Sequence, residues 1–149
     1  MTSSFVKYQQ PSELTPAIIA CVEAWDYWPL KEFKDALATG NYTLFARICD
    51  GVCSGVLLVV NLGDAADVVY IYTEPRFRRQ GLALQLLREC ERTLKSDGLV
   101  QKLFLEVRPD NGGAQKLYES FQMQLIGTRK NYYKDGSDAL VYRKVLQRS

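Results

Sequence analysis

The sequence contains no histidine among its 149 residues. This absence excludes Ser-His-Asp and Cys-His nucleophilic sites, histidine-ligated metals and an imidazole acid or base. Nineteen basic and seventeen acidic side chains leave a net charge of +2, too small to attract nucleic acid or a membrane surface. No apolar run reaches the ~18 residues of a membrane span, and residues 1–10 lack the apolar segment of a signal peptide. We therefore expect a cytoplasmic protein that binds neither nucleic acid nor membrane.

The four cysteines form no Cys-x-x-Cys pair and lie in apolar stretches or beside a turn. We expect Cys21, Cys49, Cys53 and Cys90 to be small buried residues of a reduced protein, not disulfide partners or metal ligands. No metal site is predicted. Without histidine, proton transfer in this chain must use carboxylate, tyrosine, lysine or cysteine side chains.

The length fits one domain spanning residues 1–149. The first half predicts two helices, beginning near Pro16 and Leu30, followed by antiparallel strands. Asp50-Gly51 predicts a tight hairpin turn. The predicted strands of this half span residues 42–49, 52–60 and 67–73.

The second half alternates strands and helices. Gly98 is placed to end one helix, and Asn111 is a good N-cap for the next. The predicted elements are a helix over residues 81–95, a strand over 102–107, a helix after residue 111, and strands over 123–130 and 139–146. This order predicts an α/β or mixed-sheet sandwich of three layers.

Between a strand end and a helix start lies the segment Arg78-Arg79-Gln80-Gly81-Leu82-Ala83. Unpaired N–H groups and the positive end of the helix dipole make such a corner an anion site. Gly81 and the small Ala83 allow close approach of a pyrophosphate, and nearby arginines add positive charge. The alternative is an exposed basic turn that caps a surface helix. Rossmann and Walker loops are excluded because G-x-G-x-x-G and G-K-[ST] are absent.

The loop resembles the [QR]-x-x-G-x-[GA] acyl-CoA pyrophosphate loop of the GCN5-related N-acetyltransferases (GNAT). Two later segments are similar to the bacterial ribosomal-protein-alanine N-acetyltransferases of that family, the RimI group. The first comprises Leu105-Glu106-Val107-Arg108, Asn111, Ala114, Leu117-Tyr118-Glu119-Ser120 and Phe121. The second comprises Arg129-Lys130-Asn131-Tyr132-Tyr133, Asp135-Gly136 and Asp138-Ala139. The sequence departs from the pattern at Ala83, at Gln122-Met123 and at Tyr72-Thr73.

The resemblance implies the GNAT fold, an α/β (α+β) architecture with a mixed, mostly antiparallel sheet of about six to seven strands and about four helices. It also implies acetyl transfer from acetyl-CoA to a primary amine by direct attack, with a ribosomal protein N-terminus as acceptor, in a monomer or weak dimer. The acetyl-CoA-binding residues that it implies are Ile71, Tyr72, Thr73, Arg78, Arg79, Gln80, Gly81, Leu82, Ala83, Leu84 and Asn111.

Acetyl transfer requires a neutral amine, so a proton acceptor aids the reaction at neutral pH. Glu106 is polar within an apolar strand, and the resemblance makes it that acceptor. The alternative is an edge-strand glutamate in solvent or paired with Arg108.

The resemblance makes Tyr118 the acid that protonates the departing thiolate. The alternative is a core aromatic beside Phe121, with Asn111 acting only as a helix cap. Tyr132 and Tyr133 are expected to line the acceptor pocket, and packing within a strand is the alternative. Other functions left open are acetylation of a small amine or a lysine side chain, a non-catalytic acyl-CoA-binding module and an interaction domain without ligand.

Overall fold

The computed structural model describes residues 3–25 and 28–146. Its strands are Ser3–Tyr8 (β1), Tyr42–Cys49 (β2), Val52–Asn61 (β3), Ala65–Thr73 (β4), Lys102–Val107 (β5), Gln124–Arg129 (β6) and Ala139–Val145 (β7). Its α-helices are Pro16–Trp25 (α1), Leu30–Ala38 (α2), Leu82–Asp97 (α3) and Gly112–Ser120 (α4). Short 3-10 turns cover Pro11–Glu13 and Pro75–Phe77.

The seven strands form one sheet in the order β1-β2-β3-β4-β5-β7-β6. Every neighbouring pair is antiparallel except β4 and β5, which are parallel. The crossover from β4 to β5 contains α3, as a parallel connection requires. The predicted mixed, mostly antiparallel sheet is confirmed.

The N-terminal strand β1 was not predicted, and the expectation that the first half begins with two helices is wrong in this respect. β1 pairs with β2 along its whole length, from Ser3 opposite Cys49 to Tyr8 opposite Leu44. It forms an edge of the sheet, and Phe5 is partly exposed while Tyr8 is buried. Because β1 is an edge strand with one well-buried side chain, the alternation of apolar and polar residues that marks a strand is weak in its sequence.

The helices cover both faces of the sheet and bury two separate cores. On one face, α1 and α2 contribute Ile18, Val22, Phe33 and Leu37. On the other, α3 is buried along one stripe, and α4 packs against the same core through partly buried side chains. The predicted three-layer sandwich is thus confirmed. Among the described residues, no helix combines the length and apolar character needed to cross a bilayer.

The start of α3 lies close against the sheet because β3 has a glycine at the point of contact. A Cβ added to Gly55 would approach the Leu82 side chain and the Tyr72 carbonyl oxygen to 2.9 Å each. Such contacts are shorter than packed atoms tolerate. The absence of a side chain at Gly55 therefore allows the start of α3 to pack closely against β3 and β4.

Candidate active site

Strands β4 and β5 separate after three paired residues. Their parallel ladder joins residues 65–67 to residues 102–104, although both strands continue beyond it. From that point the described pairing of β4 is with β3 and that of β5 is with β7. Residues 68–73 of β4 and 105–107 of β5 thus border a wedge between two strands of one sheet, which we call the β4–β5 opening.

Main-chain groups of β4 face this opening at alternate residues. The Glu74 N–H donates to the Ser54 carbonyl at 2.9 Å, which makes that pair a hydrogen-bonded one. Hydrogen-bonded and non-hydrogen-bonded pairs alternate along an antiparallel ladder. Ile71 and Thr73 therefore direct their N–H and C=O groups away from β3, whereas those of Tyr72 face β3. The Thr73 carbonyl accepts a hydrogen bond from Arg78 Nε at 3.2 Å, and an extended ligand can pair with the remaining groups of this edge as an additional strand.

The N-terminus of α3 presents free amides at the end of β4. The first hydrogen bond of the helix runs from Gln85 N–H to Gly81 C=O at 3.1 Å, so the N–H groups of residues 82–84 have no acceptor within the helix. Gly81 has φ 74° and provides no capping side chain. Arg79 also has positive φ, 64°, a conformation that favours glycine. The loop thus exposes donors and positive charge where an anion binds well.

One cleft, with a volume of about 320 Å³, joins most of the predicted cofactor residues, and we call it the anion cleft. Its predicted lining residues are Thr73, Arg78, Arg79, Gly81, Leu82, Ala83 and Leu84. Gly113 and Leu117 of α4 and Phe77 of the 3-10 turn complete the wall. These three were not predicted, because they lie outside the basic, glycine-containing loop over residues 78–83. Gln80 is exposed, outside this lining.

Asn111 caps α4, as predicted, and its Oδ1 accepts from the Ala114 N–H at 3.0 Å. Its side chain is exposed at the start of α4, the helix that supplies one wall of the anion cleft. The Tyr72 side chain packs against the α1 and α2 core, and its N–H and C=O groups face β3, so at this residue β4 presents no main-chain group to the opening.

Glu106 lies on β5, between β4 and β7, and is not on an edge strand. Its side chain is 25% exposed and points to the α1 and α2 face, because Leu105 and Val107 are buried on the other face. Its partner is Arg129, whose Nε lies 3.2 Å from Oε1 of Glu106. Arg108 instead contacts Asp135 at 2.9 Å. Glu106 is therefore neither on an edge strand of the sheet nor paired with Arg108, which were the two features of the alternative interpretation.

Tyr132 donates a hydrogen bond to the Glu106 carboxylate, and this bond is the largest cause that raises the pKa of Tyr132 to about 12. Arg129 also lies over the Tyr132 ring, with its guanidinium carbon 5.7 Å from the ring centroid. A second carboxylate, Asp67 of β4, lies on the same face. Burial and then the negative charge of Glu106 raise the pKa of Asp67.

Tyr118 lies on the opposite face of the sheet from Glu106. Its ring packs 5.9 Å from that of Tyr142, which belongs to the α3 and α4 core. Burial is the main cause that raises the pKa of Tyr118 to about 12, and the hydroxyl of Tyr133 adds to the shift. Tyr118 is therefore protonated throughout the physiological pH range.

Tyr132 and Tyr133 connect the two faces around the ends of the strands. Their rings meet edge to face with centroids 5.1 Å apart. Tyr132 contacts Glu106, and Tyr133 interacts with Tyr118. Arg108 lies 4.1 Å from the Tyr133 ring centroid. The pair thus interacts with both residues that are predicted to transfer protons, Glu106 and Tyr118.

Residues 8–122 match the sequence model of the acetyltransferase (GNAT) family. The chain belongs to this family. It is an acetyl-CoA-dependent N-acetyltransferase, and the predicted GNAT fold is confirmed.

Two relatives and one solved structure are especially informative about this acetyltransferase. It is 35% identical over 131 residues to an N-alpha-acetyltransferase of Saccharolobus solfataricus, covering 80% of this chain and 78% of that protein. It is 32% identical over 124 residues to the N-alpha-acetyltransferase RimI of Mycobacterium tuberculosis, covering 80% and 76%. The crystal structure of the ribosomal-protein-S18-alanine N-acetyltransferase from Escherichia coli superposes with a TM-score of 0.82 at 25% identity, covering 99% and 96%.

A further GNAT structure, from Elizabethkingia anophelis, contains bound acetyl-CoA and has a TM-score of 0.79 with 18% identity, covering 97% of this chain and 98% of that one. In the protein with the sequence above, the amides of residues 82–84, the arginines of the preceding loop and the open edge of β4 are hydrogen-bonding groups that fit a diphosphate and an amide-containing arm. The described residues include no group of three or more Cys, Asp or Glu side chains placed to hold a metal ion.

Glu106 and Tyr132 were both predicted as site residues, but the contact of Glu106 with Arg129 was not predicted. Arg129 belongs to the second segment that resembles the RimI group. Its side chain must cross β7 to contact Glu106, because Arg129 is opposite Ala139 of β7 and Glu106 is opposite Val141 of the same strand. Asp67 was also missed. A signal was present, because Asp67 is a lone carboxylate in a strand otherwise rich in apolar residues.

Proposed function

We propose that this enzyme acetylates the N-terminal α-amino group of a protein, of the class represented by a ribosomal protein that begins with alanine. The observation that carries the proposal is the β4–β5 opening. Main-chain donors of β4 and α3 lie at one end of this gap and Glu106 belongs to the β5 segment that borders it, which supports a reaction between a bound thioester and an amine there. The names of the relatives, N-alpha-acetyltransferases and ribosomal-protein-alanine N-acetyltransferases, support this acceptor class.

Acetyl-CoA is held by two kinds of donor in this proposal. The amides of residues 82–84, with Arg78 and Arg79, bind the diphosphate. The main-chain groups of Ile71 and the N–H of Thr73 pair with the pantetheine arm, and an N–H at this edge polarises the thioester carbonyl. Asn111, at the start of α4, contributes from the opposite side. Holding the thioester and amine together supplies much of the acceleration.

Glu106 receives the proton of the attacking amine, directly or through one water. Its carboxylate is oriented by Arg129 and by the Tyr132 hydroxyl, so it does not need to reorganise during the reaction. An α-amino group has a pKa roughly two units below that of a lysine side chain. A larger neutral fraction of the α-amine is thus available at pH 7, which favours a protein N-terminus over lysine as acceptor.

Tyr118 donates its proton to the departing CoA thiolate. The phenol is buried and keeps its proton, because burial raises its pKa to about 12. The thiolate of CoA has a lower proton affinity than this phenolate, so proton transfer coincides with C–S bond cleavage and is not completed before it. Tyr132 and Tyr133 line the path of the acceptor beside Glu106.

The experiment is a measurement of CoA thiol release with three acceptors. These are a peptide that begins with alanine, a lysine peptide blocked at its N-terminus, and a polyamine. The N-acetylated alanine peptide is the matched blank. We expect the alanine peptide to have the highest kcat/KM. Preference for the lysine peptide or the polyamine would overturn the acceptor class and leave the acetyltransferase, whereas acetyl-CoA binding without release for any amine would indicate a non-catalytic module.

A further inference from the structure

Two buried thiols are in contact between α1 and β3. Cys21 on α1 is 6% exposed and Cys53 on β3 is 4% exposed. A hydrogen bond joins their side chains, and the Cys53 thiol also donates to the Gly55 carbonyl at 3.6 Å. This pair could not be predicted from the sequence, because 31 residues separate the two cysteines and the spacing matches no motif.

A cavity of about 290 Å³ reaches both thiols. The α1 residues along it are small, Ala17, Ala20 and Ala24, and leave the space open between the helix and the β2–β3 hairpin. Glu74 and Arg76 lie at the same cavity. The low exposure of the sulfurs thus coexists with a route that admits a solute as small as hydrogen peroxide.

We propose that Cys21 and Cys53 are a peroxide-oxidised pair that forms an intramolecular disulfide. The Cys21 thiolate attacks one oxygen of hydrogen peroxide, forms an S–O bond and breaks the O–O bond, which releases hydroxide. The Cys53 sulfur then attacks the sulfur of the Cys21 sulfenic acid and displaces the second oxygen as water. In total, two thiols lose two electrons and two protons, and one peroxide becomes two water molecules.

The order of the two steps follows from the surroundings of each sulfur. The hydrogen bond with Cys53 lowers the pKa of Cys21, whereas the same contact and burial raise the pKa of Cys53. Cys21 is therefore the thiol that ionises and reacts first. Burial raises the pKa of Cys90 to about 12, and Cys90 packs within the α3 and α4 core. Cys90 is an internal reference for a buried thiol that does not react.

A bond between these sulfurs links α1 to the sheet next to Tyr72, which lies along the same cavity. It closes a loop of the chain that includes α2 and β2. Cross-linking a loop of this length restricts the unfolded chain, so oxidation raises Tm by roughly 5–10 °C, and reduction reverses the change. A cytoplasmic disulfide of this kind is transient and senses the redox state.

The test treats the purified full chain with hydrogen peroxide, alkylates the remaining thiols and maps the peptides by mass spectrometry. We expect the wild type to lose two thiols per chain and to yield a Cys21–Cys53 cross-linked peptide that dithiothreitol releases. Cys49→Ser is the matched control and behaves as the wild type. Cys21→Ser and Cys53→Ser form no intramolecular disulfide, and circular dichroism verifies that each variant is folded.

Retention of four free thiols after peroxide would overturn the proposal, and so would a cross-link that uses Cys49 or Cys90 or that joins two chains. If either serine variant fails to fold, the mapped peptides of the wild type and of Cys49→Ser still decide the result. The outcome is independent of the acceptor, because no acetyl transfer is measured.

Discussion

The Arg129 guanidinium spans β7 to reach Glu106, with 3.2 Å between Nε and Oε1. Glu106 also accepts a hydrogen bond from Tyr132. A carboxylate inside a sheet is costly to bury without partners, and these two contacts offset that cost. They also hold it in one orientation beside the β4–β5 opening, which suits a group that must receive a proton.

Replacement of Glu106 by glutamine preserves shape and removes the proton acceptor. We expect kcat/KM for an alanine peptide to fall by ~10²–10⁴-fold at pH 7, with acetyl-CoA affinity unchanged. The deficit should shrink above pH ~8, where the α-amine is already neutral. Steady-state kinetics over pH 6.5–9.5 and a binding titration with acetyl-CoA measure both effects. An unchanged rate at pH 7 would remove Glu106 from proton transfer.

Arg129→Gln tests orientation of the carboxylate. We expect kcat to fall about tenfold, equivalent to ~1.4 kcal/mol, with little change in the KM for acetyl-CoA. Arg129→Lys restores part of the rate because it keeps the positive charge. The matched control is Lys130→Gln, since the neighbouring lysine pairs with Asp138 and not with Glu106. Equal loss in Arg129→Lys and Arg129→Gln, or loss in Lys130→Gln, would argue against positioning by this ion pair.

Most of the fold could be predicted because local signals and burial agree. The Asp50-Gly51 turn has positive φ at both residues, as its sequence implies, and Gly98 ends α3 in the left-handed region. β1 could not be predicted because it is an edge strand, and its partner in the sheet, β2, lies more than thirty residues away in the sequence. Its own side chains alternate too weakly to predict a strand.

The candidate site was predictable in its local parts and not in its long-range contacts. The amides before Gln85 follow from a glycine at a helix start. The partner of Glu106 does not, because Arg108 is nearer in sequence and yet turns to Asp135, while Arg129 arrives from β6. Such a choice depends on which strand lies beside β5, and no local pattern carries that information.

The glycine before α3 offers a test of the anion cleft. A Cβ at Gly81 would meet no protein atom within 4 Å, and Gly81 lines the anion cleft, so we expect the methyl group of Gly81→Ala to reduce the space for the diphosphate. We expect the KM for acetyl-CoA to rise about tenfold or more. Gly63→Ala is the control, because Gly63 also has positive φ, 96° compared with 74° at Gly81, and lies in open space on another loop.

Both glycine variants should lose roughly 1 kcal/mol of stability, since an L side chain is strained at positive φ. Thermal unfolding with and without acetyl-CoA separates that common loss from the binding effect. The wild type and Gly63→Ala should be stabilised by the cofactor to the same extent, and Gly81→Ala much less. Equal stabilisation of the three proteins would place the diphosphate elsewhere.

Tyr118→Phe removes the proposed acid and leaves the ring in its packing against Tyr142. We expect kcat to fall by ~10²-fold or more while acetyl-CoA affinity is retained. Because burial raises the pKa of Tyr118 to about 12, the wild-type kcat should show no decline from phenol ionisation up to pH 10. A decline centred near pH 10 that is absent in Tyr118→Phe would show that this hydroxyl titrates normally.

Asp135 anchors the loop that carries Tyr132 and Tyr133. Hydrogen bonds from Ser137, and then the Arg108 guanidinium, lower the pKa of Asp135 from 3.8 to about 2. A lowered pKa in the folded state means that the anchor is fully present above pH ~4 and is lost as pH falls through 2. We therefore expect Asp135→Asn to lower Tm at pH 6 and the difference from wild type to shrink between pH 4 and pH 2.

The matched control for this anchor is Asp110→Asn, which removes a carboxyl from an exposed turn next to α4. Calorimetric scans of the three proteins at intervals from pH 6 to pH 2 provide the comparison. If the loop also shapes the acceptor path, Asp135→Asn raises the KM for the alanine peptide at pH 7 and leaves the KM for acetyl-CoA unchanged, because the anion cleft contains no residue of this loop. A Tm difference that stays constant across the acid range would mean that ionisation of Asp135 does not stabilise the loop.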